Sequence, residues 1–227
     1  MTDQFSPKAR HFTELVQKWG EGNMRSFAWR RTTDPYRILV AEILVQRTRA
    51  VQAERAYLDV VGTWPDIAEL SRATCAEIRS KIHSLGLNYR VKRLQRISKA
   101  IFRQFGLRIP DNLPEFKRLY GIGFGDYIAH AILCFAFGRK VPIVDKNVER
   151  ILTRFFSLKT RADGHRDQKL WRFAAELLPK NKIKEYNWSL IDFGALVCTP
   201  KNPKCLTCPL MKMCSHAKKT LAAKSDL

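Results

Sequence analysis

The residues best equipped for chemistry gather toward the end of the chain, where Cys198-x6-Cys205-x2-Cys208-x5-Cys214 places four thiols within residues 198–214. Thiolates separated by short loops can surround one metal centre, either an iron–sulfur cluster or a tetrahedral zinc. Structural zinc sites more often carry two C-x2-C pairs, and here Cys205 and Cys208 supply only one. Spacing alone does not separate the two. Upstream, Leu119-Tyr-Gly-Ile-Gly-Phe-Gly125 sets Gly121, Gly123 and Gly125 at alternate positions between two helical stretches. Such a turn can present N–H groups at a helix start and bind a phosphate, or be no more than a tight helix–helix connection. Asp145, ahead of Lys-Asn-Val-Glu-Arg150, reads in isolation as a helix N-cap. A carboxylate there stays ionised, so it could also serve as a fixed anion beside developing positive charge. Glu42 stands among apolar neighbours in Ala41-Glu-Ile-Leu-Val-Gln-Arg-Thr48. A buried carboxylate there needs a partner or a chemical role; an exposed one would simply form a salt bridge.

The elements that must position these groups are helices. Asp34-Pro35 is a helix start, and Ile38, Leu39, Ile43 and Leu44 recur at helical spacing, which predicts a helix as far as Thr48. Thr74-Cys-Ala-Glu77 is a predicted capping box for a helix ending near Leu85-Gly86. Asp167 caps a further helix with Leu170, Trp171, Ala174, Leu177 and Leu178 on its buried face and Pro179 closing it. Alternating strand patterns are nearly absent, so the class is all-α. Cys75 and Cys134 fall on helix faces and read as ordinary buried thiols. The segment after Cys214, rich in Lys and Ala, leaves no room for a further domain and is expected to fray.

Composition narrows the partners. Lys and Arg number 41 against 21 Asp and Glu, a formal charge of +20 over 227 residues. That excess predicts association with a polyanion, nucleic acid first and an anionic membrane surface second. A ribosome-associated or merely cationic protein is the plain alternative. No apolar run approaches the roughly 20 residues a membrane span needs, and Met1–Arg10 lacks the apolar core of a secretion signal. The expected location is therefore the cytoplasm, in association with the nucleoid. Six cysteines in a reducing compartment point to thiol ligands in place of disulfides.

The cysteine spacing resembles the [4Fe–4S] loop of the endonuclease III and adenine glycosylase superfamily of helix–hairpin–helix DNA glycosylases. The other motifs follow in that superfamily's order from about residue 28 to 215. The resemblance implies one [4Fe–4S] cluster on Cys198, Cys205, Cys208 and Cys214, shaping a DNA-binding surface without taking part in bond cleavage. It also implies phosphate contacts from Lys201 and Lys204 between the ligands. Leu119 to Gly125 resembles the superfamily's Leu-Pro-Gly-Val-Gly hairpin, with Tyr120 in place of proline and two extra residues before Gly125. The phosphate-binding pair is thus either Gly121 with Gly123 or Gly123 with Gly125.

Val144-Asp145-Lys-Asn-Val-Glu-Arg150 is similar to the segment that carries the catalytic carboxylate. This makes Asp145 the anion beside an oxocarbenium-like sugar and a group that can orient the attacking water. Where Tyr127 stands, bifunctional members carry a lysine that forms a Schiff base, and adenine glycosylases typically a serine. Tyrosine resembles the thymine and uracil mismatch branch and implies a monofunctional enzyme; without the motif it would read as a ring packed in a helix interface. The segment around Glu42 is similar to one lining the base pocket, which implies a hydrogen bond, and a proton, to the flipped base. Gln46 and Arg47 fall where a polar wedge enters the duplex, and Leu87 where an apolar one does, once the target nucleotide is everted. On its own, Leu87 reads equally as a buried loop leucine.

The implied fold is two helical lobes flanking a DNA-binding cleft in which Tyr127 and Asp145 meet. One is a six-helix barrel with the helix–hairpin–helix over residues 31–137, the other an iron–sulfur cluster lobe from residues 1–30 and 138–227. The implied function is hydrolysis of the N-glycosidic bond of thymine or uracil opposite guanine in double-stranded DNA. A monomer would do this, with no membrane partner and without breaking the strand. Two alternatives stay open. An adenine glycosylase acting opposite 8-oxoguanine has Tyr127 and the missing C-terminal recognition domain against it. The other is a non-catalytic DNA-binding protein on the same scaffold.

Overall fold

Side chains ahead of the helices set where they begin, in a computed structural model that describes residues 6–86, 88–160 and 167–225, with side chains as far as residue 220. The helices are α1 (Pro7–Asn23), α2 (Pro35–Leu44), α3 (Ala50–Thr63), α4 (Ile67–Arg72), α5 (Cys75–Ile82) and α6 (Tyr89–Phe105). They continue with α7 (Leu113–Lys117), α8 (Asp126–Phe135), α9 (Lys146–Phe156), α10 (Gln168–Glu176), α11 (Ile183–Leu196) and α12 (Ser215–Ser225). No strand occurs among the described residues, where a single isolated bridge pairs Tyr120 with Phe124. The carboxylate of Asp34 accepts from the N–H groups of Tyr36 and Arg37 at the start of α2, and Asp167 accepts from Lys169 at the start of α10. Thr74 and Glu77 form the reciprocal capping box of α5. No described helix is long and apolar enough to cross a membrane.

The chain divides into two compact units, one of Ser26–Arg139 and one of the segments up to Arg25 and from Lys140 onward. Within Ser26–Arg139, α2 is the central element: Tyr36 and every residue from Ile38 to Leu44 are buried. It packs against α3, α6 and α8, while α4 and α5 pack on α6. The other unit pairs α1 with α11 and α9 with both α11 and α12. Its core joins Phe12 and Val16 to Val148, Ile151, Leu152 and Phe155, and to Leu170, Trp171, Leu177, Leu178, Tyr186 and Phe193. Cys198, Cys208 and Cys214 lie partly buried against that core.

Three expectations need correction. First, α2 stops at Leu44, four residues short of Thr48: Arg47 takes a left-handed backbone (φ 55°), and the Gln46 carbonyl accepts from Arg90 on α6. Second, the segment after Cys214 forms α12, which packs with α9, with Ala217 buried and Lys218 N–H closing its first turn on the Cys214 carbonyl. Its alanines and lysines are good helix formers. Third, Cys75 is half-buried at the start of α5, where its thiol donates to Gln95; Cys134 is buried as expected.

Candidate active site

In Ser26–Arg139 the packing of α2 on α8 joins two of the singled-out side chains. Glu42 is 6% exposed, so it is not a surface salt-bridging residue, and its Oε2 accepts a hydrogen bond from the Tyr127 hydroxyl at 2.6 Å. A buried carboxylate next to a phenol is a polar centre inside an apolar helix pair, able to exchange hydrogen bonds with a planar heterocycle.

The segment leading into α8 is a tight hairpin. The Tyr120–Phe124 bridge closes it, and the Phe124 ring stacks on Phe116 with centroids 5.2 Å apart. Gly121 (φ 87°) and Gly123 (φ 103°) take backbone conformations that disfavour any side chain. Gly125 is extended and N-caps α8. The Tyr120 hydroxyl donates to Asp126 at 2.6 Å, and burial together with this carboxylate pushes the phenol pKa up.

Gln46 and Arg47 occupy the turn after α2, with Arg47 exposed and Gln46 half-buried. Two arginines of α6 hold this turn. Arg90, fully buried, donates to the Gln46 carbonyl and the Thr48 hydroxyl. Arg93 donates through Nη1 to the Gln46 side-chain oxygen and through Nε to the Gly123 carbonyl at 2.7 Å. Neither arginine is singled out by sequence reasoning; the available signal is their i,i+3 spacing near the start of α6. Leu87 lies outside the described residues.

In the other unit, Asp145 N-caps α9. Its Oδ1 accepts from the Val148 N–H at 2.8 Å and its Oδ2 from the Asn147 side chain at 2.8 Å. The sequence expectation is a carboxylate kept ionised by the helix start. Burial instead pushes its pKa above the ordinary aspartate value, opposed by the hydrogen bonds from Val148 and Asn147 and by the charge of Arg150. Arg150 continues the network: Nη2 donates to the Asn147 side-chain oxygen and to the Gly194 carbonyl, both at 2.8 Å, and Nε to the Cys198 carbonyl at 2.7 Å. A run of hydrogen bonds thus connects Asp145 through Asn147 and Arg150 to the first cysteine of the cluster motif. Gly194 makes this approach possible, because a Cβ there would sit 2.5 Å from the Asn147 Cβ. Arg154, one turn on, donates to the Thr199 and Pro200 carbonyls at 2.7 and 3.0 Å and lies 3.6 Å from the Cys198 sulfur. The i,i+4 spacing of Arg150 and Arg154 is the signal that could have marked them.

The thiols fit a shared metal cluster chemically. Cys208 has its pKa pushed up to about 11, by burial first and then by the neighbouring Cys198, Cys214 and Cys205, against a backbone N–H from Leu210. Cys208 becomes favourable as a thiolate only with added positive charge, which metal ions supply. Among the described residues, no three His, Cys, Asp or Glu side chains converge tightly enough for one ion. Sulfurs around a polynuclear cluster stand farther apart than those on a single tetrahedral metal. Lys201 and Lys204 are exposed on the loop between Cys198 and Cys205.

Comparison with known proteins agrees with this architecture. Residues 40–176 match the family model described as HhH-GPD superfamily base excision DNA repair protein, and residues 198–214 the iron-sulfur binding domain of endonuclease III. The thymine/uracil-DNA glycosylase of Methanothermobacter thermautotrophicus is 32% identical over 220 residues, covering 96% of this chain and 99% of that protein. The thymine/uracil-DNA glycosylase of Pyrobaculum aerophilum is 35% identical, covering 88% of each. Among solved structures, a thermostable thymine-DNA glycosylase superposes with a TM-score of 0.85 at 32% identity, over 93% of this chain and 97% of that one. A helical chain with a glycine hairpin, a helix-capping aspartate and a cysteine loop in this order, matched along nearly its full length, belongs to the HhH-GPD superfamily of base excision DNA repair proteins and carries the iron–sulfur binding domain described for endonuclease III.

Proposed function

We propose that this protein is a monofunctional DNA glycosylase that removes thymine or uracil mispaired with guanine from double-stranded DNA. The observation that carries the reading is Tyr127 bonded to buried Glu42. A phenol holds the place at which a lysine would make a Schiff base, and a phenol cannot make one.

Excision requires the nucleotide to leave the stack. Gln46, Arg47 and Leu87 fill the gap, and the amides of Gly121, Gly123 and Gly125 with Lys201 and Lys204 hold the phosphates. Glu42, accepting from Tyr127, directs its remaining capacity to the N–H edge of the everted pyrimidine. The bond from C1′ to the base nitrogen breaks with its electron pair leaving on the base, and a water oxygen bonds to C1′ as its proton passes to solvent or base. The Asp145 carboxylate faces the cationic sugar between these events and lowers its energy. Cys198, Cys205, Cys208 and Cys214 hold one [4Fe–4S] cluster, which when bound serves as a structural cross-link and a source of positive charge for the thiolates.

Purified protein incubated with labelled duplexes containing T·G, U·G or adenine opposite 8-oxoguanine, followed by hot alkali, tests the proposal. Product from T·G and U·G alone is the expected result. Product from the adenine duplex alone reverses the base assignment, and strand breaks before alkali overturn the monofunctional mechanism.

A further inference from the structure

Arg93 sits where the turn after α2 meets the hairpin. One guanidinium reaches the Gln46 side-chain oxygen with Nη1 and the Gly123 carbonyl with Nε. The fit is close on the hairpin side. A Cβ at Gly123 would lie 2.9 Å from Arg93 Cγ, so glycine is required there both for its φ of 103° and for the space the arginine occupies. Around it, Lys92 and Arg96 flank a cleft of about 250 Å³ completed by Tyr89, Gly121 and Ile122. Lys92 and Arg96 are exposed and free to meet phosphate, whereas Arg93 is half-buried and spends two of its donor groups on protein acceptors.

We propose that Arg93 is a positioning residue that fixes the Gln46 side chain against the hairpin, so that entry of Gln46 into the duplex depends on the hairpin being seated on the DNA backbone. This rests on the glycosylase reading above. Both acceptors are neutral, so the arginine holds them without the commitment of an ion pair. Fixing one rotamer before DNA arrives removes an ordering cost from the moment of base eversion. Arg90 supports the same turn from one helical turn away through the Gln46 carbonyl. Lysine at position 93 would keep the charge, but a single ammonium on a flexible stem cannot present a rigid fork to both acceptors.

The test is a double-mutant cycle read in single-turnover uracil release, comparing a U·G duplex with the same strand unpaired. Arg93→Ala, Arg93→Lys and Gln46→Ala should each lower the paired-to-unpaired rate ratio about tenfold, the scale of one hydrogen bond to a charged group. Arg93→Ala combined with Gln46→Ala should be no worse than Gln46→Ala. Multiplying losses in the double variant, or a wild-type ratio for Arg93→Lys, would overturn the proposal. If Arg93→Ala does not fold, the cycle is run with Arg93→Lys. Wild-type protein inactive on every substrate would bring down the glycosylase reading alone. Fluorescence of 2-aminopurine beside the mismatch then decides: the rise on binding should be lost equally in the Arg93 and Gln46 variants, and an undiminished rise in Arg93→Ala refutes the coupling.

Discussion

The Tyr127 hydroxyl donates to the Glu42 carboxylate at 2.6 Å, across 85 positions of sequence. Removing the hydroxyl leaves a buried carboxylate with one partner fewer. Tyr127→Phe should lower unfolding stability by about 1–3 kcal/mol in denaturant titrations and slow thymine release at least about tenfold. Wild-type stability and turnover in this variant would detach the pair from the base pocket.

Asp145 has a structural duty and a proposed chemical one, and two substitutions separate them. Asn caps a helix nearly as well as Asp, so Asp145→Asn should abolish base release while keeping both stability and duplex binding. Asp145→Ala should lose release as well and cost about 1 kcal/mol more, because the Val148 N–H loses its acceptor. Undiminished release by Asp145→Asn would remove the residue from the mechanism.

The raised pKa of Asp145 makes a pH prediction. A carboxyl whose pKa is higher folded than unfolded favours the folded state most below the unfolded value, near the ordinary 3.8, and that contribution is lost as pH rises through the folded value. The stability of the wild type minus that of Asp145→Asn should therefore decline as pH rises from 3.8 upward, in parallel chemical denaturation series. The acid limb of wild-type base release should fall at a pH above that ordinary value, since the ionised form is the one required. A flat stability difference across this window would contradict the burial argument.

Arg150 ties Asn147 and Gly194 to the Cys198 carbonyl. Arg150→Ala should leave iron content and visible absorbance near wild type but slow base release by about 10–100-fold, the usual scale for outer partners of an active group. Loss of iron together with activity would instead make Arg150 a prop of the cysteine loop only.

The sequence made the local rules plain: the Asp34, Thr74 and Asp167 caps, the helical class and the cysteine spacing are each set by neighbours a few positions apart. Long-range relations were hidden. Glu42 announced itself as a carboxylate in an apolar run, but nothing nearby named Tyr127 as its partner. The end of α2 falls short of Thr48 where Arg47 turns left-handed, and Arg90, 44 positions away, holds the Gln46 carbonyl of that turn. Arg93 and Arg150 are two of 41 basic residues in a chain of +20 charge, and nothing in their immediate neighbours sets them apart. Only the folded backbone shows that both turn inward to neutral oxygens.

The pairing of α1 with α11 carries a consequence for biosynthesis. Gly20 lies so close to Ser189 that a Cβ would fall 1.9 Å from its hydroxyl, so the two helices are matched to one another. On the ribosome, α1 emerges well before its counterpart, with the whole of Ser26–Arg139 made in between. The middle of the nascent polypeptide can therefore close on itself while Phe12 and Val16 still wait, uncovered, for the C-terminal helices. A chain released before Lys146 would lack every later helix that packs on Phe12 and Val16, keep that apolar stripe bare and become a client for chaperones.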